Sequence, residues 1–271
     1  MDSIKQAIEL ARGASTAPRQ TASANFRTSL PQGGAPEAPV RDMRLDPNHL
    51  DANRIVAHGA SGQSGRYYDM LRTQVLQEMD KNSWQFLAVT SPTAGCGKTV
   101  TACNLAMSIA RLPERPVMLV DLDLRKPTIA NYLGLDGTGG VLNVLEGRTS
   151  LSSAALQARV GPNSLVVLPG SVPSPNASEW MASQAMAMLL EAIKRDFRSR
   201  IVIFDLPPML LADDVISILP RMDAMLLIAG VGSTSVADLK ECQKHLQGTP
   251  VARVVVNKVT ETTDSYCYGY Y

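Results

Sequence analysis

The sequence predicts an α/β fold: a mostly parallel sheet flanked by helices on both faces. Three observations carry this. Short apolar runs at 84–90, 116–122, 164–168, 201–205, 224–230 and 252–256 alternate with helical patterns near 98–111, 139–147, 178–197, 212–219 and 235–247. Each run is continuously apolar, which a strand buried on both sides requires. A glycine-bearing loop joins the first run to the helix at 98–111, the arrangement of a βα unit with its ligand edge at the strand C-termini.

Composition bounds the rest. With 271 residues, 45% of them hydrophobic, the chain can bury a substantial core. Its 26 basic and 25 acidic residues leave no global attraction to nucleic acid or anionic lipid. No apolar run approaches the ~20 residues that span a bilayer, and the N-terminus lacks a signal peptide's apolar centre. Cys96, Cys103, Cys242 and Cys267 show no CxxC or zinc-ligand spacing, as expected of a reduced, cytoplasmic protein. His49, His58 and His245 are scattered and read as surface or edge residues.

In chain order, residues 1–12 form an amphipathic pattern, with Ile4, Ala7, Ile8 and Ala11 on one face. A helix this short is marginal alone and suits docking on another element. Residues 13–43, rich in Gly, Ala, Ser, Thr, Pro and Gln, read as a disordered linker. The main domain spans 44–259. Its opening, Leu45 to Val56, is expected to be extended or turn-rich and to pack on the domain edge. A helix follows over roughly 64–80, with Tyr68, Leu71, Val75 and Met79 on its inner face. Residues 260–271 form a tail that holds four of the seven tyrosines: Tyr266, Tyr268, Tyr270 and Tyr271.

The loop is Thr90-Ser91-Pro92-Thr93-Ala94-Gly95-Cys96-Gly97-Lys98-Thr99. A glycine-rich turn entering a helix at Gly-Lys-Thr is a phosphate-binding loop, or P-loop. Its backbone N–H groups turn inward, the helix start adds partial positive charge, Lys98 adds a full one, and Thr99 offers a hydroxyl to Mg²⁺. Pro92 stands where the usual pattern has glycine. Two further strands end on acids at the same edge: Val120-Asp121-Leu122-Asp123-Leu124-Arg125 and Phe204-Asp205-Leu206-Pro207-Pro208. Carboxylates at buried strand ends are costly without a cation, and they converge on Lys98 and Thr99.

These residues resemble the Walker A, Walker A′ and Walker B set of the bacterial tyrosine kinases, on a P-loop NTPase fold of the deviant Walker A (MinD/ParA-like) type. Leu71-Arg72-Thr73-Gln74, Pro175-Asn176-Ala177-Ser178-Glu179, Val254-Val255-Val256-Asn257-Lys258 and the tyrosine tail fit the same resemblance, which covers roughly 44–271. The opening Met1-Asp2-Ser3-Ile4-Lys5-Gln6-Ala7 is similar to members associated with exosortase-linked polysaccharide loci. Partitioning and division-site ATPases carry a signature lysine where this chain has Thr93, which favours the kinase branch.

The resemblance implies ATP and Mg²⁺ as ligands and autophosphorylation of Tyr266, Tyr268, Tyr270 and Tyr271. Lys98, Asp121, Asp123 and Asp205 would be catalytic. Thr93, Ala94, Gly95, Cys96, Gly97, Lys98, Thr99, Val100, Arg125 and Asn257 would bind nucleotide, with Asn257 reading the adenine. Thr99, Asp123 and Asp205 would serve the metal, and Asp121 would sit nearest the incoming tyrosine hydroxyl. It also implies a homo-oligomer, a membrane-anchored polysaccharide co-polymerase adaptor that brings the chain to the inner membrane, and an opposing phosphatase. Two departures stand out. The helix before the first strand commonly carries Glu-x-x-Arg-x-x-Arg for ring assembly, whereas Arg66, Asp69 and Arg72 stand here. Cys96 replaces a frequent glutamate, which would set a thiol beside Lys98, open to oxidation. The alternatives are a MinD/ParA-like ATPase without kinase activity and a non-enzymatic nucleotide-sensing regulator.

Overall fold

A computed structural model describes residues 41–259, apart from 60–62, 137–138, 171, 198–199 and 247. The proposed docking helix, most of the linker and the tyrosine tail lie outside the described residues. Eight strands form one sheet in the order β1-β4-β5-β3-β6-β2-β7-β8. They are β1 (Arg41–Arg44), β2 (Phe86–Thr90), β3 (Val117–Asp121), β4 (Leu156–Val160), β5 (Asn163–Leu168), β6 (Ile201–Asp205), β7 (Ala224–Gly230) and β8 (Val251–Asn257). Every pairing is parallel except β4 with β5.

Strand alternation divides the core between two faces. Leu87, Val89, Leu119, Ile203, Leu226 and Ile228 face one helical layer. That layer holds α1 (Pro47–Ala52), α2 (Gln63–Asn82), α3 (Lys98–Ala110) and α4 (Ile129–Leu133). Phe86, Ala88, Met118, Val120, Val202, Phe204, Met225 and Leu227 face the other. There lie α5 (Val141–Leu145), α6 (Leu151–Ala154), α7 (Ala177–Ala182), α8 (Gln184–Asp196), α9 (Asp214–Ile218) and α10 (Val236–His245). All five residues of β2, β3 and β6 are buried, as their continuous apolar runs predict.

The chain departs from expectation where local chemistry overrides the pattern. Asp46 caps α1 by accepting from Asn48 N at 3.0 Å, and Pro47 opens it, so this stretch is helical rather than extended. Nor is it peripheral: Leu50 and Ile55 are fully buried in the core. The helix expected over 178–197 is two, because Ser183 is extended, ends α7 and caps α8 by accepting from Met186 N at 3.1 Å. β1 (Arg41–Arg44) falls partly inside the segment read as linker, and its parallel pairing with β4 makes it a strand.

α2 fulfils its predicted inner face, with Val75 and Met79 fully buried. Its polar residues turn inward too. Asp69 accepts from Ser108 Oγ at 2.6 Å, Arg111 at 2.9 Å and Arg72 at 3.1 Å, and Arg72 also donates to Ser108 O at 2.9 Å. Partial burial works against the Asp69 charge, but Ser108, Arg111 and Arg72 outweigh it and hold its carboxyl below the ordinary value. Arg72 and Asp69 thus bind α2 to α3 within the chain.

A second tie holds the residues after α1. Asn104 on α3 is fully buried. Its Oδ1 accepts from Val56 N at 2.7 Å and Ala57 N at 2.9 Å, and its Nδ2 donates to Arg54 O and Val100 O, each at 2.9 Å. Truncation strands several buried polar groups together. Asn104→Ala is expected to cost about 3 kcal/mol of stability, read as a lower urea midpoint at unchanged denaturant slope.

Candidate active site

The strand C-termini of β2, β3 and β6 meet at one edge, and their register sets the chemistry. Asp121 and Asp205 are directly paired residues on adjacent strands, and each continues the side of its strand that faces α3. Both are fully buried. Two carboxylates at adjacent strand ends repel and lose their hydration, so the site must supply compensating groups.

Lys98, the first residue of α3, supplies the charge. Its Nζ donates to Asp123 Oδ2 at 2.8 Å and to Thr99 Oγ1 at 3.2 Å, and it lies 3.5 Å from Asp205 Oδ2. Burial alone would lower its proton affinity, but Asp205 and Asp123 outweigh burial and raise it. The Thr99 hydroxyl donates to Asp205 Oδ2 at 2.7 Å. Asp121 is satisfied by backbone. Its Oδ2 accepts from Thr128 N at 2.9 Å and Ile129 N at 3.0 Å at the start of α4, and its Oδ1 accepts from Asp123 N at 3.2 Å. Burial, then the Asp205 charge, pushes Asp121 up to about 7 against these bonds. Burial raises Asp205 as well, opposed by Lys98 and Thr99. The two share one proton-binding problem.

The loop shape explains its glycines. Gly97 has φ +89, and a Cβ there would sit 2.3 Å from Asn257 Nδ2, so both conformation and space demand glycine. Pro92 needs no such freedom. Its carbonyl accepts from Leu210 N at 3.1 Å and Ser91 O accepts from Met209 N at 2.8 Å, which joins the loop to the segment after β6.

Above these groups lies a cleft of about 440 Å³, lined by Ala94, Gly95, Gly97, Lys98, Thr99, Val100, Asp123 and Arg125 among the expected residues. Asp121, Cys96 and Thr93, among the expected residues, lie off the cleft wall. Asp121 is not on the cleft wall but beneath it, with both oxygens engaged. Cys96 turns away from the cleft. Its Sγ, in a residue only 1% exposed, bonds Thr93 O at 3.2 Å and Thr234 Oγ1 at 3.3 Å. Although burial opposes it, the Thr234 and Thr93 hydroxyls, the Gly230 backbone and Ser233 lower this thiol to about 7. The thiol is acidic but enclosed. Thr93 likewise turns outward from the cleft, its hydroxyl donating to Ser233 O at 3.1 Å.

Arg125 is on the wall but already paired. Its Nε donates to Asp214 Oδ2 at 2.7 Å and its guanidinium to Ser178 Oγ at 2.8 Å, while Ser178 also donates to Asp214 Oδ1. This links the Walker A′ arginine to the Pro175–Glu179 motif through Asp214, which carried no sequence signal of its own. Asn257, at the end of β8, donates from Nδ2 to Cys96 O at 2.9 Å and so braces the loop. Sequence reasoning missed Arg54, Lys126, Thr128, Tyr132, Leu211 and Ala212 on the wall, which Pro207, Pro208 and Lys258 also line. None of the missed residues belongs to the quoted motifs except Lys126, which follows Arg125.

Residues 87–266 match the CobQ/CobB/MinD/ParA nucleotide-binding domain. The chain belongs to this family. Within it, the similarities run to bacterial tyrosine kinases. Tyrosine-protein kinase YwqD of Bacillus subtilis is 29% identical over 231 residues, 83% of this chain and 93% of that protein. The solved kinase domain of Escherichia coli tyrosine kinase ETK superposes with a TM-score of 0.64 at 26% identity, covering 74% of this chain and 78% of that one. EpsB of Ralstonia nicotianae is 30% identical over 201 residues, 73% of this chain but only 26% of that protein. The chain therefore spans about a quarter of the length of EpsB. Among the described residues, no helix is long and apolar enough to cross a membrane.

The carboxylate pair makes stability depend on pH. Asp121 has a folded value of about 7 against an ordinary 3.8, so the unfolded chain ionises first. Its contribution is most favourable below 3.8, is lost as pH rises through about 7, and stays lost above. Calorimetry of the nucleotide-free protein should give a lower unfolding temperature at pH 8 than at pH 5, and Asp121→Asn should flatten that difference.

Proposed function

We propose that this chain is an ATP-dependent protein-tyrosine autokinase whose acceptors are Tyr266, Tyr268, Tyr270 and Tyr271. The observation that carries the reading is the convergence of Lys98, Thr99, Asp123 and Asp205 under one cleft in a chain similar to named tyrosine-protein kinases.

The residues fit ATP with Mg²⁺. Asp205 Oδ1 is buried and, among the described residues, has no hydrogen-bond partner, whereas its Oδ2 holds the Thr99 hydroxyl. An orphaned carboxylate oxygen behind a P-loop hydroxyl suits a hydrated cation. Among the described residues, no three acidic, imidazole or thiol side chains form a metal cage. Mg²⁺ relies on one or two protein oxygens together with waters and phosphates. Thr99 would hold the ion, with Asp205 and Asp123 supporting it. Bound Mg²⁺ would neutralise charge between the β- and γ-phosphates.

Phosphoryl transfer depends mainly on positioning and charge neutralisation. The loop amides around Gly95 and Gly97 and the Lys98 ammonium hold the phosphates. Asp123, which lines the cleft, would support the metal beside Lys98. Asp121 would sit nearest the incoming tyrosine hydroxyl, and from beneath the cleft it also holds the start of α4 through Thr128 N and Ile129 N. Asn257 suits adenine: its Nδ2 is engaged by Cys96 O, and its Oδ1, without a partner among the described residues, can accept from an exocyclic amine. The fourteen residues from Asn257 to Tyr271 span about 45 Å when extended, enough to reach this cleft or a neighbour's.

Regulation follows from charge. Each phosphate adds about −1.5 to −2 charges, so a multiply phosphorylated tail repels itself and releases a homo-oligomer that unmodified tails hold together. The reading includes a membrane-anchored polysaccharide co-polymerase adaptor, which recruits the chain to the inner membrane, and an opposing phosphatase. Ring assembly through the usual α2 motif is disfavoured, because Asp69 and Arg72 are engaged with α3.

Purified protein incubated with ATP and Mg²⁺ should gain phosphate on its final peptide by mass spectrometry. Lys98→Met should reduce this by at least a hundredfold while circular dichroism stays unchanged. Phosphate release without phosphotyrosine would instead identify a MinD/ParA-like ATPase, and nucleotide binding with neither activity a sensor.

A further inference from the structure

We infer that Arg54 is a terminal-phosphate contact, a positioning residue that lets the site tell ATP from ADP. The inference rests on the nucleotide reading above and assigns a group outside its motifs.

Arg54 lines the cleft from a segment more than forty residues before Lys98. Its backbone has φ +62, a conformation unfavourable for a side chain bearing Cβ and one that glycine would adopt freely. The positive φ belongs to the left-handed turn that ends α1, where Arg54 N donates to Asp51 O at 3.0 Å and Ile55 N to Leu50 O at 2.8 Å. The surroundings here are specific. Asn104, buried on the P-loop helix, receives Val56 N and Ala57 N and donates to Arg54 O. The clamp therefore couples the position of Arg54 to the same helix that carries Lys98 and Thr99. On its other side, α1 meets α4 through His49 Nε2 and Asn131 O, 2.8 Å apart.

Of the cations that line the cleft, Arg54, Lys126 and Lys258 have no side-chain partner among the described residues, and of these three only Arg54 carries a guanidinium. Lys98 is engaged with Asp123 and Asp205, and Arg125 with Asp214. Arg54 is exposed on the rim, and among the described residues its guanidinium has no ion-pair or hydrogen-bond partner. The segment stands between α3 and α4, the side of the cleft formed by Asp123, Thr128 and Tyr132. Lys258 lines the cleft on the other side, one residue after Asn257 at the end of β8, beyond β7. With the base at Asn257, the phosphate chain runs along the loop toward Asp123, and its far end comes to the Arg54 wall. A planar guanidinium matches phosphate oxygens bidentately.

The test uses the full chain with Mg²⁺ and fluorescent ATP and ADP analogues that carry the label on the ribose. Arg54→Ala should weaken ATP-analogue binding about tenfold and leave ADP-analogue binding within about twofold, with Arg54→Lys intermediate. Arg54→Gly relieves the positive φ. It should lose the same discrimination yet unfold at or above the wild-type temperature, which no loss through misfolding can imitate. Equal weakening of both nucleotides, or unchanged ATP binding with reduced tail phosphorylation, would overturn the assignment to the terminal phosphate. If the wild-type chain binds neither analogue, or Lys98→Met binds both normally, the nucleotide reading itself fails. If wild type binds and Lys98→Met does not, while Arg54→Ala matches wild type, the Arg54 inference alone is lost.

Discussion

The structure depends on keeping two carboxylates side by side in a water-poor interior. Parallel pairing of β3 and β6 sets Asp121 opposite Asp205, and neither can shift without breaking the sheet register. Every feature of the edge answers that constraint. Lys98 brings a cation to Asp123 and Asp205, Thr99 brings a hydroxyl to Asp205, and the first amides of α4 bond Asp121. The compensation is incomplete, since Asp205 retains one oxygen without a partner among the described residues and both acids favour protonation. A site whose charges were fully balanced would gain little from a triphosphate and its cation. This one is left with a deficit that such a ligand can fill.

Much of this was legible in the sequence because the central strands are continuously apolar and end abruptly on aspartate. β2, β3 and β6 have no competing pattern, so strand, edge and acids could be placed together. Elements at the margin were harder. β1 has four residues, Arg41–Arg44, mostly exposed, and only its pairing with β4 makes it a strand. β4 alternates in burial and pairs antiparallel with β5, unlike the runs that revealed its neighbours. α1 and α4 are too short for periodicity and are defined instead by Asp46 and by the amides that Asp121 receives. Side-chain direction was the least legible property. Residue order put Cys96 next to Gly97 and Lys98, but the turn aims its thiol at Thr93 and Thr234. Asp214 and Arg54 reach the site only through tertiary packing, which no local spacing encodes.

The loop itself is held from outside. Asn257 closes on Cys96 O, the Ser233–Thr234 turn bonds the Cys96 thiol and Thr93 carbonyl receives that thiol in turn, while Met209 and Leu210 bond Ser91 and Pro92. These contacts come from the ends of β8, β7 and β6. A phosphate cradle must present backbone amides without rearranging as charge arrives, because preorganised dipoles are worth more than dipoles that must reorient. Bracing from three strand ends provides that rigidity without placing any side chain in the phosphates' way.

The two walls of the cleft are built on opposite terms, and the contrast bears on how the site works. On one wall, Arg125 is neutralised by Asp214 and tied to Ser178, so α7, α9 and the Walker A′ loop are locked together. A paired arginine of this kind holds shape and has little charge left for a ligand. On the other, Asn104 uses all its hydrogen-bonding capacity on backbone groups, and the Arg54 side chain stays uncommitted among the described residues. Stability alone would favour glycine at Arg54 and a partner for its charge. An exposed guanidinium without a partner among the described residues keeps its charge and its donor geometry available to a ligand. One arginine therefore belongs to the scaffold, and the other to the chemistry the scaffold supports.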